Sequence, residues 1–124
     1  MTRGFRGATT ISENNATEIM EETRKLVLEM VQQNNIKPNA ISHVFFSVTN
    51  DINAAFPAKV ARELPGWTHV PVMCMKEIDV PNSLKLCIRV MLVAETTLDQ
   101  DQVQHVFLND AIKLRPDLIS EEGD

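Results

Sequence analysis

A chain of 124 residues suits one domain with a single core, and its 44% hydrophobic residues are enough to fill one. A formal net charge of −5 excludes the broad basic face that nucleic acid or an anionic membrane surface requires, so any positive site must be local. Cys74 and Cys87 are too far apart for a zinc cluster, and no two of His43, His69 and His105 have metal-ligand spacing.

Met-Thr-Arg-Gly leads directly into a Phe/Ala/Thr/Ile segment with no apolar h-region, which predicts a cytoplasmic protein with reduced thiols. Gly4 to Ile11, β-branched and aromatic, reads as a first strand. Asn15 and Glu18 have capping-box spacing, and Ala16, Ile19, Met20, Thr23, Leu26, Val27, Met30 and Val31 recur at helical intervals. They predict a long amphipathic helix over about Thr17 to Asn34, its charged face solvated and its end marked by Lys37-Pro38-Asn39.

His43 to Val48 is an apolar run of strand length, followed by the turn residues Thr49-Asn50-Asp51. Pro57 fits the first position of a short helix over Ala58 to Leu64, which Pro65-Gly66 terminates. Val70 to Met75 predicts a third strand, Pro81-Asn82-Ser83 a break, and Leu84 to Thr96 a fourth, longer strand. In that strand Leu84, Leu86, Ile88, Val90 and Leu92 share one face, and Cys87, Arg89, Met91 and Val93 the other. The longest apolar run, Cys87 to Ala94, is interrupted by Arg89 and is too short to span a bilayer. Gln104 to Leu108 reads as a last short strand, and Asn109-Asp110 as the cap of a helical turn over Ala111 to Leu114 that Pro116 stops. A single domain over 1–118 is expected, with a mobile tail over 119–124.

The pattern gives an α+β fold, a mixed β-sheet with helices on one face. The sheet's other face then needs a partner, which favours a closed oligomer. Arg3, Arg6, Arg62, Arg89 and Arg115 each sit in an otherwise apolar segment, an arrangement suited to a small polyanion. Taken singly, Arg89 reads better as an edge arginine reaching for solvent than as a ligand-binding group, Glu77 as a solvated loop acid and Cys74 as an inert thiol. Neither the Walker spacing nor the dinucleotide fingerprint occurs around Gly4 and Gly7.

Five blocks in order are more specific than any single residue: Arg3-Gly4-Phe5-Arg6-Gly7-Ala8-Thr9-Thr10; Phe56-Pro57-Ala58-Lys59 with Arg62-Glu63-Leu64 and Gly66-Trp67; Val70-Pro71-Val72 with Cys74-Met75 and Glu77; Cys87-Ile88-Arg89-Val90-Met91; and Leu114-Arg115-Pro116-Asp117-Leu118. Together they resemble the monofunctional AroH-class chorismate mutases. The resemblance implies a homotrimeric pseudo-α/β-barrel of the chorismate mutase/RidA-like type, with active sites at the subunit interfaces. It also implies conversion of chorismate to prephenate without a cofactor, in the shikimate route to phenylalanine and tyrosine. By motif, Arg89 corresponds to the residue meeting the ether oxygen and a carboxylate, Arg6 to a second substrate-binding arginine, and Glu77 to the acceptor of the substrate hydroxyl, with Cys74 nearby. Phe56, Ala58, Lys59, Val72 and Leu114 correspond to the pocket wall and rim, and Arg62 and Arg115 to basic residues near its entrance. The chain departs from the family pattern at Phe107, where tyrosine is common, and at Met73, where threonine is common. Losing a hydroxyl that bonds a charged group costs about 1.5–3 kcal/mol, so Phe107 is expected to weaken binding without abolishing catalysis.

Two other readings compete. A non-catalytic trimeric sensor of small carboxylates would need arginine but not Arg6, Glu77 and Arg89 together. A RidA-type deaminase trimer fits the shape but not the five blocks.

Overall fold

The computed structural model describes residues 1–114; Arg115, Pro116 and the tail expected over 119–124 lie outside that range. The first strand, β1, is Thr2–Thr10, and the long helix α1 is Ala16–Asn34. Then come β2 (Ile41–Val48), the five-residue α2 (Lys59–Glu63), β3 (Val72–Lys76), β4 (Cys87–Glu95) and β5 (Val106–Phe107). Short 3-10 turns occupy Pro38–Ala40, Gln100–Gln102 and Asn109–Leu114. The sheet is mixed and five-stranded, in the order β3-β2-β4-β1-β5. Strand β4 pairs antiparallel with both β1 and β2, while β3 and β5 run parallel to β2 and β1.

Helix α1 covers one face of this sheet. Its buried residues Ile19, Thr23, Leu26, Val27, Met30 and Asn34 fall at helical spacing, and Leu26, Val27 and Met30 share a core cluster with Phe5, Val44, Phe46, Val90 and Leu92. Gly7 permits the close approach, because a Cβ there would overlap the Met30 sulfur. The opposite face leaves large apolar side chains exposed, among them Met73, Met75, Phe45 and Met91.

The start of α1 is more elaborate than a capping box. The Asn15 side chain accepts from the Glu18 amide at 2.8 Å as expected, but the Glu18 carboxylate does not return to Asn15. It instead accepts from the Ser12 amide, the Ser12 hydroxyl and the Glu13 amide. These bonds, led by that from the Ser12 amide, hold the Glu18 carboxyl below its usual range. A depressed folded-state value means that Glu18 stabilises the fold above the ordinary carboxylate range and loses that contribution as acid protonates it. Glu18→Gln should therefore flatten the fall in stability between about pH 5 and pH 3, read by urea unfolding at a series of pH values.

Two local expectations are corrected. Leu84 and Leu86 do not belong to the fourth strand, which begins at Cys87. Leu86 adopts a left-handed backbone (φ 50°), and its amide is taken by the Asp51 carboxylate at 3.0 Å and not by a strand partner. Asn109 does not act as a helix N-cap: it too is left-handed, and its amide reaches back to Thr9, Thr10 and Glu22.

Candidate active site

A cleft of about 680 Å³ opens on the uncovered side of the sheet. Strand alternation determines what faces it. In the β2–β4 register Ser47 lies opposite Arg89 and Phe45 opposite Met91; in the β1–β4 register Ala8 lies opposite Arg89 and Arg6 opposite Met91. The parallel β1–β5 pairing adds Phe107 beside Ala8. All seven of these side chains line the cleft. A small apolar cluster of Ala8, Cys87 and Ala111, packed by Leu84, Phe107 and Leu114, lies beside them.

The polar centre is a short chain of side chains from β2, β4 and the residue that follows β3. Arg89 Nη1 donates to Glu77 Oε1 at 2.9 Å, and the Ser47 hydroxyl donates to Glu77 Oε2 at 2.8 Å. Glu77 follows directly on β3, and its amide donates to the Val48 carbonyl at 2.9 Å, so the carboxylate projects from a fixed backbone position. Side-chain exposures of 37% for Arg89 and 25% for Glu77 place the pair within reach of a ligand entering the cleft. The guanidinium of Arg6 lies 6.0 Å from the centre of the Phe107 ring, within cation–π range. Below them, burial pushes the Cys87 thiol up to about 11, even though the Arg89 charge pulls it down. Cys87 is thus a neutral lining group near pH 7 and not a nucleophile.

Among the expected site residues, Arg6, Glu77, Arg89, Phe107 and Leu114 meet around this cleft. Phe56, Ala58, Lys59, Arg62, Val72, Met73 and Cys74 do not line it within the same chain. Val72 and Cys74 alternate towards the α1 side, where with Ala58 they pack on the main core, and burial raises the Cys74 thiol. Phe56, Lys59 and Arg62 are exposed in and just before α2, and Met73 is exposed on the cleft-side face of β3 beside Phe45. Arg115 lies outside the described residues. Ser47, Phe45, Met75 and Met91 line the cleft without having been expected there. The parity of the run His43 to Val48 relative to Arg89 would have indicated Ser47 and Phe45, but only once the strand pairing was known.

Among the described residues no group of histidine, cysteine and acidic side chains could hold a metal ion. No helix among them is long and apolar enough to cross a membrane.

The chain is similar to known proteins along most of its length. Residues 2–118 match the family described as chorismate mutase type I. The chain is 47% identical over 118 residues to chorismate mutase AroH of Bacillus subtilis (strain 168), covering 95% of this chain and 93% of that one. It is 42% identical over 123 residues to chorismate mutase AroH of Thermus thermophilus, covering 98% and 100%. A solved chorismate mutase from Clostridium thermocellum superposes with a TM-score of 0.85 at 50% identity, over 88% of this chain and 96% of that one. Matches in sequence over nearly the whole chain and in fold over 88% of it, with Arg6 and Arg89 on one sheet face, lead to one assignment: the chain belongs to the chorismate mutase type I family.

Proposed function

We propose that this chain rearranges chorismate to prephenate in the cleft around Arg89, Glu77 and Arg6, as a homotrimer whose subunits complete one another's sites. The family match and the two relatives named chorismate mutase AroH make it an isomerase of that kind, and nothing in the comparisons favours the non-catalytic sensor. The observation that carries the residue assignment is the Arg89–Glu77–Ser47 chain in a cleft that Arg6 also lines, beside the apolar Phe45, Met91 and Phe107.

The reaction is unimolecular: a C–O bond breaks as a C–C bond forms, and negative charge grows on the ether oxygen. No group on the protein has to accept a proton or form a covalent bond. What the protein must supply is a compact conformer of a dicarboxylate and a fixed positive charge at the ether oxygen. Arg89 suits the second task because it stays protonated and its fork presents several donors. One Nη is committed to Glu77, and among the described residues its other nitrogens make no further hydrogen bond. Arg6, on the same face, is placed to take a carboxylate, and Glu77 to accept from the substrate hydroxyl.

The trimer draws support from two features. Phe56 is 70% exposed, Met73 60% and Ile78 86%, more apolar surface than a monomer ordinarily leaves in water. Phe56 and Lys59, which match the family's pocket wall, do not line the cleft of their own chain and are exposed, so they are available to a neighbour's. Closure of three sheets into the pseudo-barrel, Arg115 at the entrance and a cytoplasmic location belong to the same reading. The test combines two measurements on purified protein: loss of chorismate absorbance with prephenate as product, and mass by light scattering. Saturable turnover by a species of three chains is expected; turnover by a monomer would overturn the shared-site part.

A further inference from the structure

We propose that Ser47 is a positioning residue for the reaction, one that holds the Glu77 carboxylate so that it meets Arg89 through a single oxygen. The inference rests on the assignment of Arg89 and Glu77 as the substrate-facing pair.

Ser47 and Arg89 are directly opposite in the β2–β4 register, so their side chains leave the sheet side by side on the cleft face. Glu77 reaches over both of them. Its Oε2 accepts from the Ser47 hydroxyl at 2.8 Å and its Oε1 from Arg89 Nη1 at 2.9 Å. A serine hydroxyl has one proton to give, and here it goes to a carboxylate oxygen. That bond fixes the second carboxyl torsion of Glu77, whose backbone is already anchored through its amide to Val48.

An arginine facing a free carboxylate prefers the bidentate fork, with two parallel N–H···O bonds. Were Oε2 released, Glu77 could turn and take two Arg89 nitrogens, drawing the guanidinium plane onto itself. Ser47 opposes that by occupying Oε2. It leaves the remaining Arg89 donors for an incoming carboxylate and ether oxygen, and the free lone pair of Oε1 for a hydroxyl. A neutral side chain therefore sets how much of the Arg89 charge is available to the substrate.

The test is a double-mutant cycle in chorismate turnover. Ser47→Ala should lower kcat/KM about tenfold, the fall appearing in kcat as well as KM, with thermal unfolding unchanged. Ser47→Thr, which keeps the hydroxyl, should restore most of the activity, and Ser47→Cys, a weak donor of similar size, should fall between them. In a Glu77→Ala background Ser47→Ala should have no further effect, since there is no carboxylate left to hold. Unchanged kcat/KM in Ser47→Ala would overturn the proposal, as would an equal loss with Glu77 present and absent. Should Ser47→Ala fail to fold, the contrast between the threonine and cysteine variants decides, and equal activity in the two counts against the role. Wild-type turnover in Glu77→Ala would instead remove the assignment of Glu77 on which the proposal stands, an outcome separate from failure at Ser47.

Discussion

Arg89→Ala is expected to lower kcat/KM for chorismate by at least about a hundredfold while leaving the fold intact, because removing one preorganised transition-state donor typically costs 10²–10³ in rate. The loss should fall mainly in kcat, since the charge at the ether oxygen develops only as the C–O bond breaks. Arg89 is the third residue of β4, yet 37% of its side chain is exposed and its side chain hydrogen-bonds Glu77, itself 25% exposed. Truncation thus removes charge from the cleft without opening a hole in the core, and Glu77 can recruit water. Arg89→Lys should recover only part of the rate, because an ammonium cannot contact Glu77 and two substrate oxygens in one plane. The check is chorismate consumption for the three proteins alongside their melting curves. Wild-type-like turnover in Arg89→Ala would sink the electrostatic role of that residue.

The largest expected effect on stability lies far from the cleft. Asn34, 6% exposed at the end of α1, donates through Nδ2 to the carbonyls of Met30 and Gln104, and its Oδ1 accepts from the Gln104 amide. The side chain thus stands in for a strand, satisfying both backbone groups of Gln104 just before β5. Asn34→Ala should cost about 1–3 kcal/mol, from two lost hydrogen bonds to Gln104 and the part-buried backbone groups left unpaired. Asn34→Asp is the sharper probe, because a carboxylate would face the Met30 and Gln104 carbonyls with no proton to give. It should destabilise at neutral pH and partly recover in acid, where a protonated acid can donate again. Urea unfolding at one fixed protein concentration, necessary if subunits associate, reads both. A change under about 1 kcal/mol in Asn34→Ala would show that water replaces the side chain there.

These expectations mark where reading the sequence stops. Helix α1 was legible because its signals are local: Asn15 caps it and its apolar residues keep a 3.6-residue period. The strands β2 and β4 were legible as apolar runs, and the parity of Arg89 within β4 followed from alternation alone. Strand order was not, since pairing β1 with β4 and β5 joins residues 77 to 99 positions apart, and no local pattern encodes such a contact. Leu86 misled for a related reason. Its β-compatible neighbours extended the run backwards, whereas the Asp51 carboxylate, 35 positions away, holds its amide out of the ladder. Within the site, Arg6, Glu77 and Arg89 entered through family likeness, but Ser47 has no motif of its own. It acquires meaning only when register places it opposite Arg89.

The position of β1 between β4 and β5 also bears on how the chain comes into being. Synthesised before the other strands, β1 has no sheet partner until residues 87 to 95 exist, and its second edge stays open until Val106 and Phe107 follow. Helix α1, β2 and β3 can begin to associate beforehand, but the central pairing must close loops of nearly the whole chain, which slows folding relative to a protein built from local contacts. Arg6 therefore joins Arg89 among the last acquisitions of the fold. A nascent or truncated chain lacking β5 would present an unpaired β1 edge, the kind of surface that chaperones and neighbouring chains capture.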